Sequence, residues 1–185
     1  MYLIILGPPG AGKGTQSILI AEKLGLKHLS TGEILRKAVS EGTTLGLKAK
    51  EIMDAGNLVS DDIMVGIVKD AISAEDAKKG FILDGFPRTI EQARELDKIM
   101  QSLGYDTAKV INITLDDNEL IKRMLGRGRV ADTEDTIKNR LNVYKAQTAP
   151  VKDHYSSISA VFDIYGIGSI SQINEEILEV LKLPA

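Results

Sequence analysis

The first fifteen residues, MYLIILGPPGAGKGT, constrain the fold more than any other stretch of the chain. An uncharged apolar run from Tyr2 to Leu6 predicts a strand buried on both faces, which is typical of a parallel sheet. Four glycines then surround Lys13, before a helical pattern over residues 15–24. Glycines let main-chain N–H groups turn toward an anion, and the helix N-terminus adds positive charge. The stretch therefore predicts a phosphate-binding loop.

This loop departs from the common pattern G-x-x-x-x-G-K-[ST] at its last position. Gly7, Gly12 and Lys13 fit the pattern. Gly14, however, stands where serine or threonine is usual, and Thr15 comes one residue late. The hydroxyl that holds Mg²⁺ in such loops is displaced, which argues against the common GTPases and motor ATPases. The alternative, a dinucleotide-binding turn, requires G-x-G-x-x-G and has no use for a lysine at the helix start.

Length and composition bound the remaining possibilities. With 185 residues, 43% of them hydrophobic, the chain is long enough for one large domain with a substantial core. The net charge of −3 gives no reason to expect nucleic-acid binding. No apolar run approaches the roughly 20 residues of a membrane span, and no basic region of a signal peptide precedes the first apolar run. Cysteine is absent, which excludes disulfides and fits the cytoplasmic location that we expect.

Apolar runs that alternate with helical patterns predict five strands and the helices between them. The predicted strands are 2–6, 26–29, 81–84, 109–115 and 160–164. The predicted helices are 15–24, 30–39, 45–55, one that begins at Ser60, 89–103, 116–125, a long one over 132–153, and 171–183. This order indicates an α/β fold, with a five-stranded parallel sheet and helices on both faces, of the phosphate-loop NTPase type.

A second functional element is predicted at the edge of this sheet. The sequence FILDGFPR places Asp84 at the carboxyl end of a strand, where ligands bind in open α/β sheets. Asp84 can hold Mg²⁺ or its waters beside phosphates. The alternative for this carboxylate is a helix or turn cap. Arg88 follows a Gly-Phe-Pro turn that restricts the backbone before it.

Several motifs together resemble the adenylate kinase family. They are GPPGAGKGT, STGEILR (30–36), DAGNLVSD (54–61), LDGFPRTIEQ (83–92), GRGR (126–129), DTIKNRL (135–141) and TAPV (148–151). The resemblance covers essentially the whole chain in the family's order, and DGFPRTxxQ is a specific signal. It implies phosphoryl transfer from MgATP to AMP, giving two ADP, with Mg²⁺ as the cofactor.

The distribution of arginine supports this chemistry independently of the family name. Of seven arginines, five lie in these motifs and two, Arg94 and Arg123, lie just outside them, whereas the sixteen lysines are spread mainly over helical stretches. Planar guanidinium groups suit phosphate oxygens, while lysine is adequate for a solvated face. A reaction between two phosphorylated nucleotides brings many negative charges together, and its catalysis is mostly positioning and charge stabilisation.

No general base is evident in the sequence. The two histidines, His28 and His154, are far apart and have no ligand-like neighbours, and no Ser/His pair is apparent. If the attacking group is a phosphate oxygen, with a second pKa of about 6, it is already ionised at pH 7. The reaction then needs no base.

The resemblance implies a role for individual residues. The ATP-binding set is Gly10, Ala11, Gly12, Lys13, Gly14, Thr15, Arg123, Arg127 and Gly168. The AMP-binding set is Thr31, Gly32, Arg36, Asn57, Val59, Gly85, Arg88, Gln92, Arg129 and Arg140, in which Arg36 and Arg88 grip the phosphate and Gln92 reads the base. The catalytic set is Lys13, Asp84, Arg88, Arg123, Arg129 and Arg140. Mg²⁺ is held by nucleotide phosphates and by waters near Asp84, without direct protein ligands.

Some of these residues have a purely local alternative. The segments 30–33 (STGE) and 89–92 (TIEQ) each fit a capping box, so Gln92 could serve only at a helix start. Asp132 could serve only as the N-cap of the long helix.

The lid region differs from that of long adenylate kinases. A single residue, Gly128, separates Arg127 from Arg129, so the chain resembles the short-lid form without zinc. One of the family's paired aspartates is replaced by Ala131, and Asp132 alone remains for the lid contact.

We predict one domain with two appended segments. The core comprises residues 1–29, 60–125 and 133–185, the AMP-binding helical arm comprises 30–59, and the short lid comprises 126–132. Arm and lid are expected to close over the nucleotides and exclude water. Oligomeric state is not readable from the sequence, and a monomer is the default.

Alternative functions remain open at this point. Because Gln92 has a capping alternative, a UMP/CMP or broad-specificity monophosphate kinase is the main competitor. Tyr165 and Ile167 stand where polar residues are usual, so discrimination against triphosphates other than ATP could be weak. A nucleotide-binding switch is the other alternative, but the GTPase motif N-K-x-D is absent. A switch also has no need for a second, arginine-lined phosphate site.

Overall fold

A single parallel sheet organises the fold. The computed structural model describes residues 1–128 and 132–182. Its strands are β1 (Tyr2–Leu6), β2 (Lys27–Ser30), β3 (Phe81–Asp84), β4 (Lys109–Thr114) and β5 (Val161–Tyr165). All neighbouring strands pair in parallel, in the order β2-β3-β1-β4-β5. The predicted fold class is confirmed, and the predicted strands agree with these bounds to within one residue at each end.

Helices connect the strands and cover the sheet. They are α1 (Lys13–Leu24), α2 (Thr31–Ser40), α3 (Thr44–Asp54), α4 (Asp61–Ser73), α5 (Ile90–Ser102), α6 (Asp117–Gly126), α7 (Glu134–Val143), α8 (Pro150–Ser156) and α9 (Ile170–Lys182). A 3₁₀ turn at Glu75–Ala77 and a π-helical segment at Tyr144–Thr148 complete the set. Among the described residues, we find no helix with the length and hydrophobicity that a bilayer crossing requires.

Several helix starts follow from local chemistry. The hydroxyls of Ser30 and Thr89 accept hydrogen bonds from the N–H groups of Glu33 and Gln92, so both predicted caps are confirmed. Ser60 is the N-cap of α4, as its position before two aspartates predicts.

The single long helix predicted over 132–153 is wrong. Pro150 has no N–H group, and its ring would clash with the carbonyl of Ala146 in a continuous α-helix. The chain inserts the π-helical segment instead, in which the N–H of Ala149 donates to the carbonyl of Tyr144 at 2.8 Å. Pro150 then occupies the first turn of α8, where a missing N–H group costs little.

The apolar core lies on both faces of the sheet. Along β1, Leu3 and Ile5 pack on one face with residues of α1 and α9, and Ile4 and Leu6 pack on the other face with residues of α4 and α5. Each of these four side chains is at most 5% exposed. Both faces of β1 are therefore covered, as its continuous apolar sequence predicts.

Candidate functional site

The loop between β1 and α1 has the geometry that its glycines allow. Gly7 has φ 141°, and a Cβ atom there would lie 2.5 Å from the carbonyl oxygen of Ile113, so a side chain cannot be accommodated. Lys13 begins α1 and turns back into the loop. Its Nζ donates to the carbonyl oxygens of Gly7 at 2.7 Å and Pro8 at 2.9 Å. The ammonium group is thereby held near the N-terminus of α1.

Burial and nearby charges both affect the pKa of Lys13. Desolvation lowers the pKa of Lys13 to about 8. The carboxylate of Asp84 opposes this shift, and the charges of Arg88 and Arg127 lower the pKa further. A buried lysine with two cationic neighbours lies where a bound anion would stabilise its proton.

Asp84 ends β3 directly beside the loop. A Cβ atom at Gly14 would lie 3.4 Å from Oδ2 of Asp84, so the position usually taken by serine or threonine faces this carboxylate. The hydroxyl of Ser30 donates to the same oxygen at 3.5 Å. The N-cap of the following helix is Thr89, so Asp84 does not cap that helix.

One cavity of about 740 Å³ joins the loop to α2, α3 and the carboxyl edge of the sheet. Its lining includes most of the predicted site: Gly10, Gly12, Lys13, Gly14, Thr15, Thr31, Gly32, Arg36, Asn57, Val59, Asp84, Gly85, Arg88, Gln92, Arg123, Arg127 and Arg140. Six cationic side chains line it together with two carboxylates, those of Glu33 and Asp84. Two further carboxylates, those of Glu119 and Asp132, pair with three of the arginines from outside the lining. A cavity with this excess of guanidinium groups suits a polyanionic ligand.

Main-chain contacts hold Arg88 on both sides. Its N–H donates to Oε1 of Gln92 at 2.7 Å, and its carbonyl accepts from the hydroxyl of Thr148 at 2.9 Å. Its Nε donates to the carbonyl of Gly85 at 2.7 Å. Sequence reasoning missed the role of Thr148, because only the π-helical segment brings it to a residue 60 positions earlier.

The absence of a side chain at Gly32 and at Gly85 leaves room for Arg36 and for the hydroxyl of Thr31. A Cβ atom at Gly32 would lie 3.1 Å from Nη1 of Arg36, and one at Gly85 would lie 2.9 Å from the hydroxyl of Thr31. That hydroxyl donates to the carbonyl of Gly85 at 2.9 Å and ties the start of α2 to the end of β3.

The side chain of Gln92 does more than start a helix. Its backbone N–H donates to the Thr89 hydroxyl at 3.1 Å, as in a capping box. Its side chain does not complete the box, because Oε1 accepts from Arg88 and Nε2 donates to Asp61 at 2.8 Å. The purely capping interpretation of Gln92 is therefore wrong.

Asp132 is not the N-cap of the helix that follows it. Thr133 has that role, and its hydroxyl accepts from the N–H of Thr136 at 3.2 Å. The carboxylate of Asp132 instead pairs with Arg127 and Arg140, and its side chain is 1% exposed. Sequence alone could not separate these roles, because a capping aspartate and an ion-paired one look alike before the fold brings the arginines together.

The predicted ATP-base side lies beside α6. Nε of Arg123 donates to Glu119 at 2.8 Å, and its Nη2 donates to the carbonyl of Gly166 at 3.0 Å. The hydroxyl of Tyr165 donates to Asp116 at 2.8 Å, so this unexpected aromatic residue has a polar partner. Ala11 and Gly168 do not line the cavity, although both were predicted to bind ATP.

Helix α7 contacts the segment that follows α3. The side-chain amide of Asn139 donates to the carbonyl of Ala55 at 2.7 Å and to Oδ1 of Asn57 at 3.0 Å. Nη2 of Arg140 lies 3.4 Å from the carbonyl of Met53. Asn57 and Arg140, both predicted to bind AMP, are thus linked through α7.

One expectation about serine and histidine is wrong. Oγ of Ser17 lies 3.0 Å from Nε2 of His28, so α1 and β2 do form a Ser/His pair. Ser17 is fully buried and is also 3.0 Å from the carbonyl of Gly14, which makes the pair an internal contact behind the loop. Neither residue lines the cavity, so the pair supplies no base to it.

Two further expectations concern the lid and metals. Arg129 and Ala131 lie outside the described residues. Among residues 1–128 and 132–182, no cluster of three or more His, Cys, Asp or Glu side chains could hold a metal ion. A Mg²⁺ ion held by phosphates and waters beside a single carboxylate requires no such cluster, so Asp84 fits that arrangement.

The chain is similar to known proteins. A family model described as "Adenylate kinase" matches residues 5–160. Curated proteins named adenylate kinase are similar over nearly the whole chain. The protein of Leptospira biflexa is 48% identical, over 96% of this chain and 97% of its own length. Those of Corynebacterium aurimucosum and Methanothrix thermoacetophila are 45% and 44% identical, each over 98% of this chain and 99% of its own length.

Proposed function

The chain belongs to the adenylate kinase family and catalyses phosphoryl transfer between ATP and AMP to give two ADP, and from this premise we propose how the cavity divides between the two nucleotides. ATP binds with its phosphates on the loop at Lys13, and AMP binds between α2, α3 and the β3 edge. The observation that supports this proposal is that Lys13 and Arg88, one for each nucleotide, line the same cavity.

On the ATP side, Lys13 provides the charge for the β- and γ-phosphates. Its present acceptors are two neutral carbonyl oxygens, so an anionic phosphate is a stronger partner for the same ammonium group. Arg123, oriented by Glu119 and the carbonyl of Gly166, lies near the adenine. The phosphates and waters near Asp84 would hold Mg²⁺, which would supply charge neutralisation at the transferring phosphoryl group.

On the AMP side, Arg36 and Arg88 grip the phosphate and Gln92 reads the base. The support is their common lining of the cavity and the rigid main-chain bonds that hold Arg88. Arg127, which follows α6, and Arg140 on α7 converge on the transferring group. The sequence predicts the same role for Arg129, which lies outside the described residues. The attacking phosphate oxygen is ionised at neutral pH, so these side chains position and stabilise charge without a base.

Closure is the remaining part of the proposal. Residues 30–59 and 126–132 fold over AMP and ATP and exclude water that would otherwise hydrolyse ATP. Unchanged amide exchange in both segments on binding a two-substrate analogue would contradict this. A monomeric state and a cytoplasmic location stay predictions from the sequence.

Acceptor choice is tested with a coupled assay that offers ATP with AMP, CMP, UMP, GMP or dTMP. AMP is expected to be the preferred acceptor. Equal rates with all five would favour the broad-specificity alternative.

The assignment of the two sites is tested with Arg88→Ala. We expect a loss of about 10³-fold or more in kcat/KM for AMP, since one arginine contributes on that scale to phosphoryl transfer, with ATP affinity unchanged. Arg94→Ala is the matched control, because Arg94 is exposed on α5, does not line the cavity and pairs with Glu91 at 4.0 Å. A loss of ATP affinity alone in Arg88→Ala would show that the two sites are assigned wrongly.

A further inference from the structure

The amide of Gln92 is held between two groups of opposite hydrogen-bonding character. Its Oε1 accepts from the main-chain N–H of Arg88 at 2.7 Å, and its Nε2 donates to Oδ1 of Asp61 at 2.8 Å. The other oxygen of Asp61 accepts from the hydroxyl of Thr89 at 3.0 Å. Gln92 is 1% exposed and lines the cavity, whereas Asp61 lies behind it and is not part of the lining.

These two neighbours define one orientation of the amide. A main-chain N–H can only donate, and an ionised carboxylate can only accept. A reversed amide would set N–H against N–H at Arg88 and oxygen against oxygen at Asp61, and both buried contacts would be lost. In the orientation that remains, Gln92 can offer the cavity one N–H donor and one lone pair of Oε1.

We propose that Asp61 is a positioning residue that sets the base selectivity of the acceptor site by fixing the orientation of Gln92. The inference rests on the proposed function, in which the AMP base lies at Gln92. Adenine presents an acceptor at N1 and a donor at its 6-amino group, which complement the N–H and the oxygen of the amide. Hypoxanthine, the base of IMP, has almost the same shape but presents N1–H and O6, so both positions are mismatched.

A comparison of AMP with IMP as acceptors tests this inference. The ratio of kcat/KM for AMP to kcat/KM for IMP is measured in the wild type, in Asp61→Ala and in Asp62→Ala. Asp62 is the matched control, because it is the next carboxylate in the first turn of α4 but is exposed and does not touch Gln92. Both rate constants come from one preparation, so a partly inactive sample leaves the ratio unchanged.

The ratio is expected to fall about tenfold or more in Asp61→Ala, because a well-oriented bidentate amide contributes about that factor to base discrimination. KM for AMP rises while KM for ATP stays the same, which a general loss of structure would not produce. In Asp62→Ala the ratio stays at the wild-type value.

Equal ratios in the wild type and Asp61→Ala would overturn the inference, since the N–H of Arg88 would then be sufficient to orient the amide. A wild type without turnover of AMP would instead overturn the proposed function. Should Asp61→Ala fail to fold, Asp61→Leu is compared with Asp62→Leu, because leucine has about the size of aspartate but offers no acceptor to Nε2 of Gln92. A clear fall in the ratio only in Asp61→Leu supports the inference, and no difference between the two contradicts it.

Discussion

Arg127 and Asp132, at the two ends of the connection between α6 and α7, form a bidentate ion pair. Nε of Arg127 donates to Oδ2 at 2.5 Å and its Nη2 donates to Oδ1 at 3.0 Å, while Nη1 of Arg140 donates to the same Oδ1. One carboxylate therefore orients two of the arginines that line the cavity. This arrangement keeps two cations close together where a phosphoryl group is proposed to pass.

Replacing Asp132 with asparagine should destabilise the fold. The two arginines would lose a common counter-charge whose side chain is only 1% exposed. We expect a loss of about 2 kcal/mol in the free energy of unfolding at pH 7, less than for a fully buried pair because the arginines are partly exposed. Urea denaturation measures this, with the exposed Asp135→Asn as the control. Equal midpoints for both variants would contradict it.

The same carboxylate predicts a pH dependence. Desolvation raises the pKa of Asp132, but the hydrogen bond from Arg127 and the charges of Arg127 and Arg140 outweigh it and leave the pKa below 3.8. Because the folded-state pKa is lowered, the stabilisation is fully present above the unfolded pKa of about 4 and is lost as pH falls through the folded value. The stability difference between wild type and Asp132→Asn should therefore be constant above about pH 5 and shrink in more acidic solution.

Proton uptake should accompany ATP binding. The pKa of Lys13 is about 8, so about half of these side chains are neutral at pH 8. Phosphates favour the ammonium form, and binding should draw about half a proton per site from solution. Calorimetry in two buffers of different ionisation enthalpy measures this, and affinity for ATP should fall as pH rises above 8. Lys13→Arg, which stays charged, should show no uptake. The same uptake in that variant would assign the proton to another group.

Alanine substitutions at Gly56 and Gly42 distinguish the effect of backbone strain from the effect of a new side-chain contact. Gly56 has φ 79°, and a Cβ atom there would lie 2.9 Å from Cγ of Arg140. Gly42 has φ 64°, with nothing within 4 Å of its Cβ position. Alanine at either site should cost about 1 kcal/mol in unfolding experiments. Only Gly56→Ala should also raise KM for AMP several-fold, because it pushes the segment after α3 away from Arg140. An equal rise in Gly42→Ala would show that strain alone is responsible.

Asn139 should couple α7 to AMP binding. Its amide donates to Ala55 and Asn57, so Asn139→Ala frees the segment that contributes Asn57 to the cavity. We expect KM for AMP to rise several-fold with KM for ATP unchanged, as measured by initial rates. Asn142→Ala is the control, since Asn142 is an exposed asparagine on the same helix. Parallel changes in both Michaelis constants would contradict the specific coupling.

Local signals predicted much of the fold. The apolar run of β1, the hydroxyl caps at Ser30 and Thr89 and the glycines of the loop each act within a few residues of themselves. These signals act through burial, helix capping or the backbone angle φ. The types of the neighbouring residues largely decide each of these. The predicted long helix is interrupted because Pro150 lacks an N–H group, although the residues around it are typical of a helix.

The sequence by itself determined the order of strands and helices along the chain, the phosphate loop and the set of arginines that suits phosphoryl transfer. Only the tertiary structure decided what those side chains touch. Asp61 reaches Gln92, Thr148 reaches Arg88 and Asn139 reaches Ala55 across 31, 60 and 84 positions of the chain. Such contacts depend on how helices pack around the sheet, and no residue carries a local sign of its distant partner. The orientation of each donor and acceptor in the site therefore emerges only when the chain is folded.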